Sequence, residues 1–376
     1  MKKKLLAALI AAAMVVSLAA CGSSSSSDTT EEETTEEAEE EEEAEEETEE
    51  AEAEEEEAEE ETTIDGSAFK VGLITDTGGI NDESFNQSSW EGLNLAIDDF
   101  NVTANYLESA TESDYATNIA TFVDEDYDLI ICVGYMLADA CAEAAEANPD
   151  INFAIIDDST IDMDNVTCLM FKQEQASYLA GYAAGLTTES DVVGFVLGMS
   201  SETMHQFGYG YLAGVLDANP DATILQYNAN SFADSATGKA DAQAAITNGA
   251  DVIFHAAGGT GLGVIEACAE ADIYAIGVDS DQSSVAPDNV LTSALKRVDT
   301  AVYDTVEKLI TGTLEGGVET YDLSIDGVGI VTPGLLSDEA IEAIEAVKEQ
   351  IISGEVVVPS TQEEFEAAYG EVYELD

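Results

Sequence analysis

From Phe69 onward the chain alternates short β-branched runs with longer segments of helical period, and this alternation limits the fold more than any other feature. The runs fall at 71–75, 102–107, 129–133, 153–156, 192–197, 223–227, 252–256 and 274–278. Between the first two, Trp90, Leu93, Ile97 and Phe100 recur at spacings of three and four, which is one apolar face of a helix. Strand, helix, strand repeated in this way predicts right-handed βαβ units and parallel sheets covered by helices on both sides, an α/β fold. About 310 folded residues exceed one comfortable core, so two doubly wound parallel-sheet lobes are expected. The pattern shifts at 166–185 and again at 290–296. We read three crossings between the lobes, near 174, near 296 and around 324–335. Lobe 1 is then 66–173 plus 297–324, and lobe 2 is 174–296 plus 325–376. Ligands bind beyond the carboxyl ends of parallel strands, so functional residues are expected in the loops around a shared cleft.

The first 65 residues are of another kind. Met1-Lys2-Lys3-Lys4, an apolar run over 5–16 and Leu18-Ala19-Ala20-Cys21 make a basic start, a short apolar core and a small-residue exit. That is a secretory signal, residues 1–21, ending in a lipobox cysteine. The apolar core is shorter than the roughly 20 residues that span a bilayer, which argues against an uncleaved membrane helix. The mature chain is expected to begin at a lipidated Cys21, anchored on the extracytoplasmic face of the cell membrane. Residues 22–65 hold a serine run and a glutamate tract, with 24 acidic residues and no basic one between 28 and 63. Such a segment buries too little apolar surface to offset the entropy of ordering, and its like charges repel, so it is expected to be a solvated tether.

Removing the tether and the three signal lysines leaves 56 acidic and 7 basic residues, a net charge of −49 over 64–376. A domain with no basic face does not hold nucleic-acid phosphates, so nucleic acid is excluded as a partner. Cys132, Cys141, Cys168 and Cys268 match no metal or redox spacing and are expected to be buried thiols, with a disulfide open to an exported chain. His205 and His255, the only histidines, have no nucleophile or metal ligand at useful spacing, and no cofactor or metal is expected.

The loop after the first run carries Gly78 and Gly79 for a tight turn and Ser84 to cap the next helix, with Phe85 and Asn86 at the helix start. An aromatic beside an amide suits a flat polar ligand; the alternative is that Phe85 packs on its own strand. The string Asp76-x-Gly78-Gly79-Ile80-Asn81-Asp82-x-Ser84-Phe85-Asn86-x-x-x-Trp90-x-Gly92 resembles the opening signature of the basic membrane protein family, the purine nucleoside receptor type of substrate-binding lipoprotein. The stretches Phe153-Ala154-Ile155-Ile156-Asp157-Asp158, Tyr178-Leu179-Ala180-Gly181, Phe207-x-x-Gly210-Tyr211-x-x-Gly214, Ala257-Gly258-Gly259-Thr260-Gly261-Leu262-Gly263, Gly277-Val278-Asp279-Ser280-Asp281-Gln282 and Leu291-Thr292-Ser293-Ala294-Leu295-Lys296-Arg297 resemble the same family. The similarity runs in order over roughly residues 70–350.

The resemblance implies a type I periplasmic-binding-protein fold with a nucleoside, its base between aromatics, held where the lobes meet. By position it implies Phe85 as one stacking face, Asn86 as a base-edge partner, and Phe207 or Phe232 as the opposing ring. Asp139 is a carboxylate able to accept from a base N–H, with a plain helix N-terminal acid as its alternative. Asp279 and Asp281 follow the 274–278 run, where a carboxylate can take both ribose hydroxyls; one of the two is expected to be structural. The resemblance places a lysine near the sugar, which Lys296 fits; its alternative is a salt bridge with an Asp. Gly258 opens a G-x-x-G-x-G string whose spacing departs from the dinucleotide fingerprint, and its glycines are expected to bring backbone amides close to a sugar. His255 stands where the family leads us to expect glutamine, and Tyr135 where phenylalanine is commoner; each either retunes the base pocket or is a tolerated change at the cleft rim.

The expected function is therefore a lipid-anchored receptor that captures a nucleoside and presents it to an ABC-type permease. A sugar or signalling-molecule receptor on the same fold is the nearest alternative, and a surface adhesin a further one. A nucleoside hydrolase is disfavoured, because there is no Gly-x-Ser-x-Gly elbow and no clustered metal ligands, and the Asp279/Asp281 pair alone is a weak signal.

Overall fold

The computed structural model describes residues 64–370 and Leu375; the signal, Cys21 and the acidic tether lie outside the described residues. Strands β1 (Lys70–Ile74), β2 (Thr103–Leu107), β3 (Leu129–Cys132), β4 (Asn152–Ile156) and β5 (Val166–Phe171) alternate with helices α1 (Phe85–Phe100), α2 (Tyr115–Asp124) and α3 (Ala138–Ala147). After α4 (Gln173–Thr187) the alternation is repeated. β6 (Val192–Leu197), β7 (Thr223–Asn228), β8 (Val252–Ala256), β9 (Tyr274–Asp279) and β10 (Val290–Lys296) enclose α5 (Glu202–Ala218), α6 (Ser235–Thr247) and α7 (Gly261–Ala271). The chain ends with α8 (Val298–Thr311), β11 (Gly317–Tyr321), β12 (Val328–Ile330), α9 (Asp338–Ile352) and α10 (Gln362–Tyr369).

Two six-stranded sheets result, ordered β2-β1-β3-β4-β5-β11 and β7-β6-β8-β9-β10-β12. The winding is the same twice over. All pairings are parallel except that of β10 with β12. Because helices cover both faces, the inner strands are largely buried, and β3 and β8 are buried from end to end. The chain passes from the first sheet to the second after β5, returns after β10 to form β11, and passes again to form β12. The two-sheet α/β architecture expected from the alternation is present.

α4 is buried along most of its length, and it meets α5 backbone to backbone. A methyl group on Gly214 would lie 2.0 Å from the Tyr178 carbonyl oxygen, and one on Gly181 would lie 2.1 Å from that of Tyr211. Glycine at these positions is thus a packing requirement, the physical content of two of the motifs read above. Gly214→Ala is expected to destabilise the fold by at least about 2 kcal/mol in chemical denaturation, since backbone cannot yield as a side chain can. Gly329→Ala, which meets nothing within 4 Å, is the control and is expected to stay within about 0.5 kcal/mol.

Candidate functional site

A cavity of about 520 Å3, counted to its open mouth, lies where the carboxyl ends of the two sheets face each other. Its strand-borne wall residues all sit at or just past strand ends, and the remainder come from the N-terminal turns of α1 and α5 and from loops.

On the first lobe, Asp82 organises the start of α1. Its Oδ1 accepts from the N–H groups of Ser84 and Gln87, each at 3.0 Å, and its Oδ2 from the Asn86 N–H at 2.9 Å. Asp82 therefore satisfies the amides left open at the helix start. Ser84, expected to cap, occupies the N-cap position without a capping bond; its hydroxyl instead donates to Oδ2 of Asp279 in the other lobe. Asn86 lines the cavity, yet both of its amide hydrogens are taken. Nδ2 donates to Asp76 Oδ1 at 2.8 Å and to Asp82 Oδ2 at 3.0 Å, while its Oδ1 accepts from the Asp76 N–H at 3.1 Å. It holds two carboxylates in place and has no donor left for a base edge. Burial pushes the Asp76 carboxyl up to about 6, against the bonds from Asn86 and Gly78 and with the charges of Asp82 and Asp157 adding to the rise.

Two aspartates at matching places in the two windings face the cavity. Asp157 follows β4 and Asp279 ends β9, and both take left-handed backbone, at φ 68° and 66°. Non-glycine residues keep that conformation where their surroundings enforce it, often at binding sites. Lys296, the last residue of β10, crosses to Asp157, with Nζ 2.6 Å and 2.5 Å from its two oxygens. The ammonium also lies 5.0, 5.1 and 5.5 Å from the ring centres of Phe85, Phe171 and Phe207. Burial pushes Asp279 up to about 6, opposed by Lys296 and the Ser84 hydroxyl.

Phe85 from the first lobe, and Phe207 and Phe232 from the second, all line the cavity. Phe207 is buried and belongs to the ring set around Lys296; Phe232 is half-buried and lies over Gly198, where a methyl group would come within 2.6 Å of its ring. Gly258 is in the wall as well, with φ 53°, which a side chain would strain. The structure thus brings Phe85, Asn86, Phe207, Phe232, Gly258, Asp279 and Lys296 together.

Two expected residues are not there. Asp139 is exposed in the first turn of α3: Leu137 and Cys141 take the inward positions on either side, so the residue between them faces solvent. Asp281 is exposed too, its Oδ1 accepting from the Ser283 N–H at 2.9 Å to cap a short turn. Both corrections put the structural alternative in place of a ligand role. His255 is not at the rim either; it is fully buried on β8, on the side away from the cavity wall formed by Ala256. Asp76, Asp82 and Asp157 entered the sequence reading only as letters of motifs. The likeness of Ala154-Ile155-Ile156-Asp157 to Ile276-Gly277-Val278-Asp279 is the signal that points to Asp157. Cys132, Cys141, Cys168 and Cys268 are buried and unpaired.

Comparison with known proteins agrees with this geometry. The family model for PnrA-like ABC transporter substrate-binding proteins matches residues 69–362. The CD4+ T-cell-stimulating antigen of Listeria monocytogenes is 42% identical over 77% of this chain and 88% of its own. The ABC transporter nucleoside-binding protein BmpA of Lactococcus lactis is 38% identical over 77% and 89%. A crystal structure of ABC transporter solute-binding proteins from Aeropyrum pernix superposes with a TM-score of 0.74 at 25% identity, covering 81% of this chain and 97% of that one.

The raised carboxyls of Asp76 and Asp279 fix the sign of a pH effect. Their ionised forms are disfavoured in the fold, so the penalty is absent below the ordinary value of 3.8, grows as pH rises, and is complete above about 6. Thermal stability is expected to rise between about pH 7 and about pH 5, by about 1 kcal/mol per carboxyl. Asp76→Asn and Asp279→Asn are expected to flatten the profile, which separates their share from that of the acidic surface.

Proposed function

The chain belongs to the PnrA-like family of ABC transporter substrate-binding proteins, and from that premise we propose that it captures a nucleoside between its lobes and delivers it to an importer, tethered to the membrane by lipid on Cys21. The observation that carries the ligand class is a cavity with aromatic faces from both lobes and carboxylates at its strand ends. In this reading Phe85 and Phe232 stack on the base, and Asp76, oriented by Asn86, accepts from its edge. Asp279 takes ribose hydroxyls, and Lys296 donates beside it. One base stacked on aromatics gains on the order of 1 to 3 kcal/mol and a micromolar ligand needs about 8, so hydrogen bonds supply much of the difference. The wall carries Asp76, Asp82, Asp157 and Asp279 against Lys296 alone, which favours an uncharged nucleoside over its phosphates. The action is closure of two lobes about the ligand, with no bond made or broken.

Calorimetry against a nucleoside panel is expected to find at least one micromolar or tighter ligand, with 5′-monophosphates much weaker; silence for every purine and pyrimidine nucleoside would refute the ligand class. Phe85→Ala and Phe232→Ala are each expected to weaken binding by about tenfold or more. A slight effect of both would favour a sugar or another non-planar ligand. In a bacterial host, Cys21→Ser is expected to abolish lipid labelling and release from the signal, read by mass spectrometry of the membrane fraction.

A further inference from the structure

The lobes are also joined beside the cavity, through groups that do not line it. Glu83, in the turn leading into α1, is a non-glycine residue in left-handed backbone at φ 53°, a conformation that needs support from its surroundings. Its carbonyl accepts two bonds from the second lobe, from the Ser280 hydroxyl at 3.0 Å and from the Gln282 side-chain amide at 3.0 Å.

Gln282 is held so as to present that donor. It is 1% exposed, and its Oε1 accepts from the Val278 N–H at 3.0 Å and lies 3.0 Å from Nε2 of His255. An amide oxygen only accepts, so His255 donates from Nε2 and its ring is the neutral tautomer with Nδ1 bare. Burial agrees, pushing the imidazole down to about 4, and Nδ1 has no partner. Reversing the Gln282 amide would set its NH2 against the Val278 N–H and its oxygen against the Glu83 carbonyl, both fixed backbone groups. Only one orientation works, and in it the amide oxygen also serves as acceptor for the buried His255 ring. None of Glu83, Ser280, Gln282 and His255 lines the cavity.

We propose that Gln282, oriented by the Val278 N–H, packed against His255 and assisted by Ser280, is a positioning group that holds the lobes together through the Glu83 carbonyl and so sets how long a captured ligand stays. The proposal rests on the nucleoside reading above and adds residues that touch no ligand. A contact made only when the lobes meet stabilises the closed arrangement alone, and apparent affinity scales with the closed fraction. Weakening it should therefore speed release without changing which base is preferred.

The test compares the full folded domain with Gln282→Leu, which keeps bulk and removes the amide, with Ser280→Ala, and with Ser280→Thr, which keeps the hydroxyl. Association and release of inosine, guanosine, adenosine and uridine are followed by stopped flow, and amide hydrogen exchange is measured without ligand. The expected result is release about tenfold faster in Gln282→Leu and about threefold faster or more in Ser280→Ala, with association nearly unchanged. The order of nucleosides stays the same and Ser280→Thr behaves as the unaltered chain. Unchanged release in both weakened variants overturns the proposal, as does a new order of preference, which would mean that Gln282 reads the ligand directly. Should Gln282→Leu not fold, Ser280→Ala decides. Should the unaltered chain bind neither these four nor any other nucleoside of the panel, the nucleoside reading fails by itself, and exchange at amides 83–87 judges the contact: faster in the variants supports it, unchanged overturns it.

Discussion

A lysine ammonium buried between two sheets has to be met by negative charge, and the meeting of Lys296 with Asp157 governs the rest of the cleft. Lys296 is 2% exposed and Asp157 6%. Losing one partner of such a pair typically costs about 3–5 kcal/mol, because the other charge is left stranded. Lys296 ends a strand of one sheet and Asp157 follows a strand of the other, so the pair bridges the two sheets at the cleft. Phe85 from one lobe and Phe207 from the other gather on the same ammonium, where ring faces attract a cation. The two halves of the aromatic wall are thereby referred to a single charge.

The repeated winding explains why acids accumulate there. In each sheet the fourth strand of the winding ends at the cleft, and in each it delivers an aspartate in left-handed backbone, Asp157 after β4 and Asp279 at the end of β9. The two fates differ because the partners differ. Asp157 is neutralised by Lys296, whereas Asp279 meets the Ser84 hydroxyl and stays partly in debt to burial. One architectural position thus serves once as an anchor for charge and once as an open acceptor.

Much of this was visible in the order of residues. Strands covered on both faces must be continuous apolar runs, so 129–133 announced β3 and 252–256 announced β8. The glycines and Phe85 of the first loop pointed to the cleft because turns and ring faces have distinctive composition. What stayed hidden was set by distance or by rotation about a helix. The partner of Lys296 lies 139 positions away, and no local pattern names it. Asp139 and Asp157 both follow strands, yet the chain after β3 first sends Tyr135 and Met136 into the wall and turns Asp139 outward. Asn86 lines the cavity, but only the bonds it makes reveal that its donors are taken. His255, read as either a base-pocket residue or a rim substitution, is turned inward by the pleat of β8, toward Gln282.

The backbone-to-backbone contact of α4 with α5 has a mechanical consequence. α4 begins directly after the first passage between the lobes, and α5 carries Met204 and Phe207 at the other end of the contact. With no flexible side chains between the two helices at Gly181, Gly210 and Gly214, nothing there can absorb a small rotation. The start of α4 at Lys172 and the Phe207 ring are therefore linked through a contact that no side-chain rearrangement can loosen.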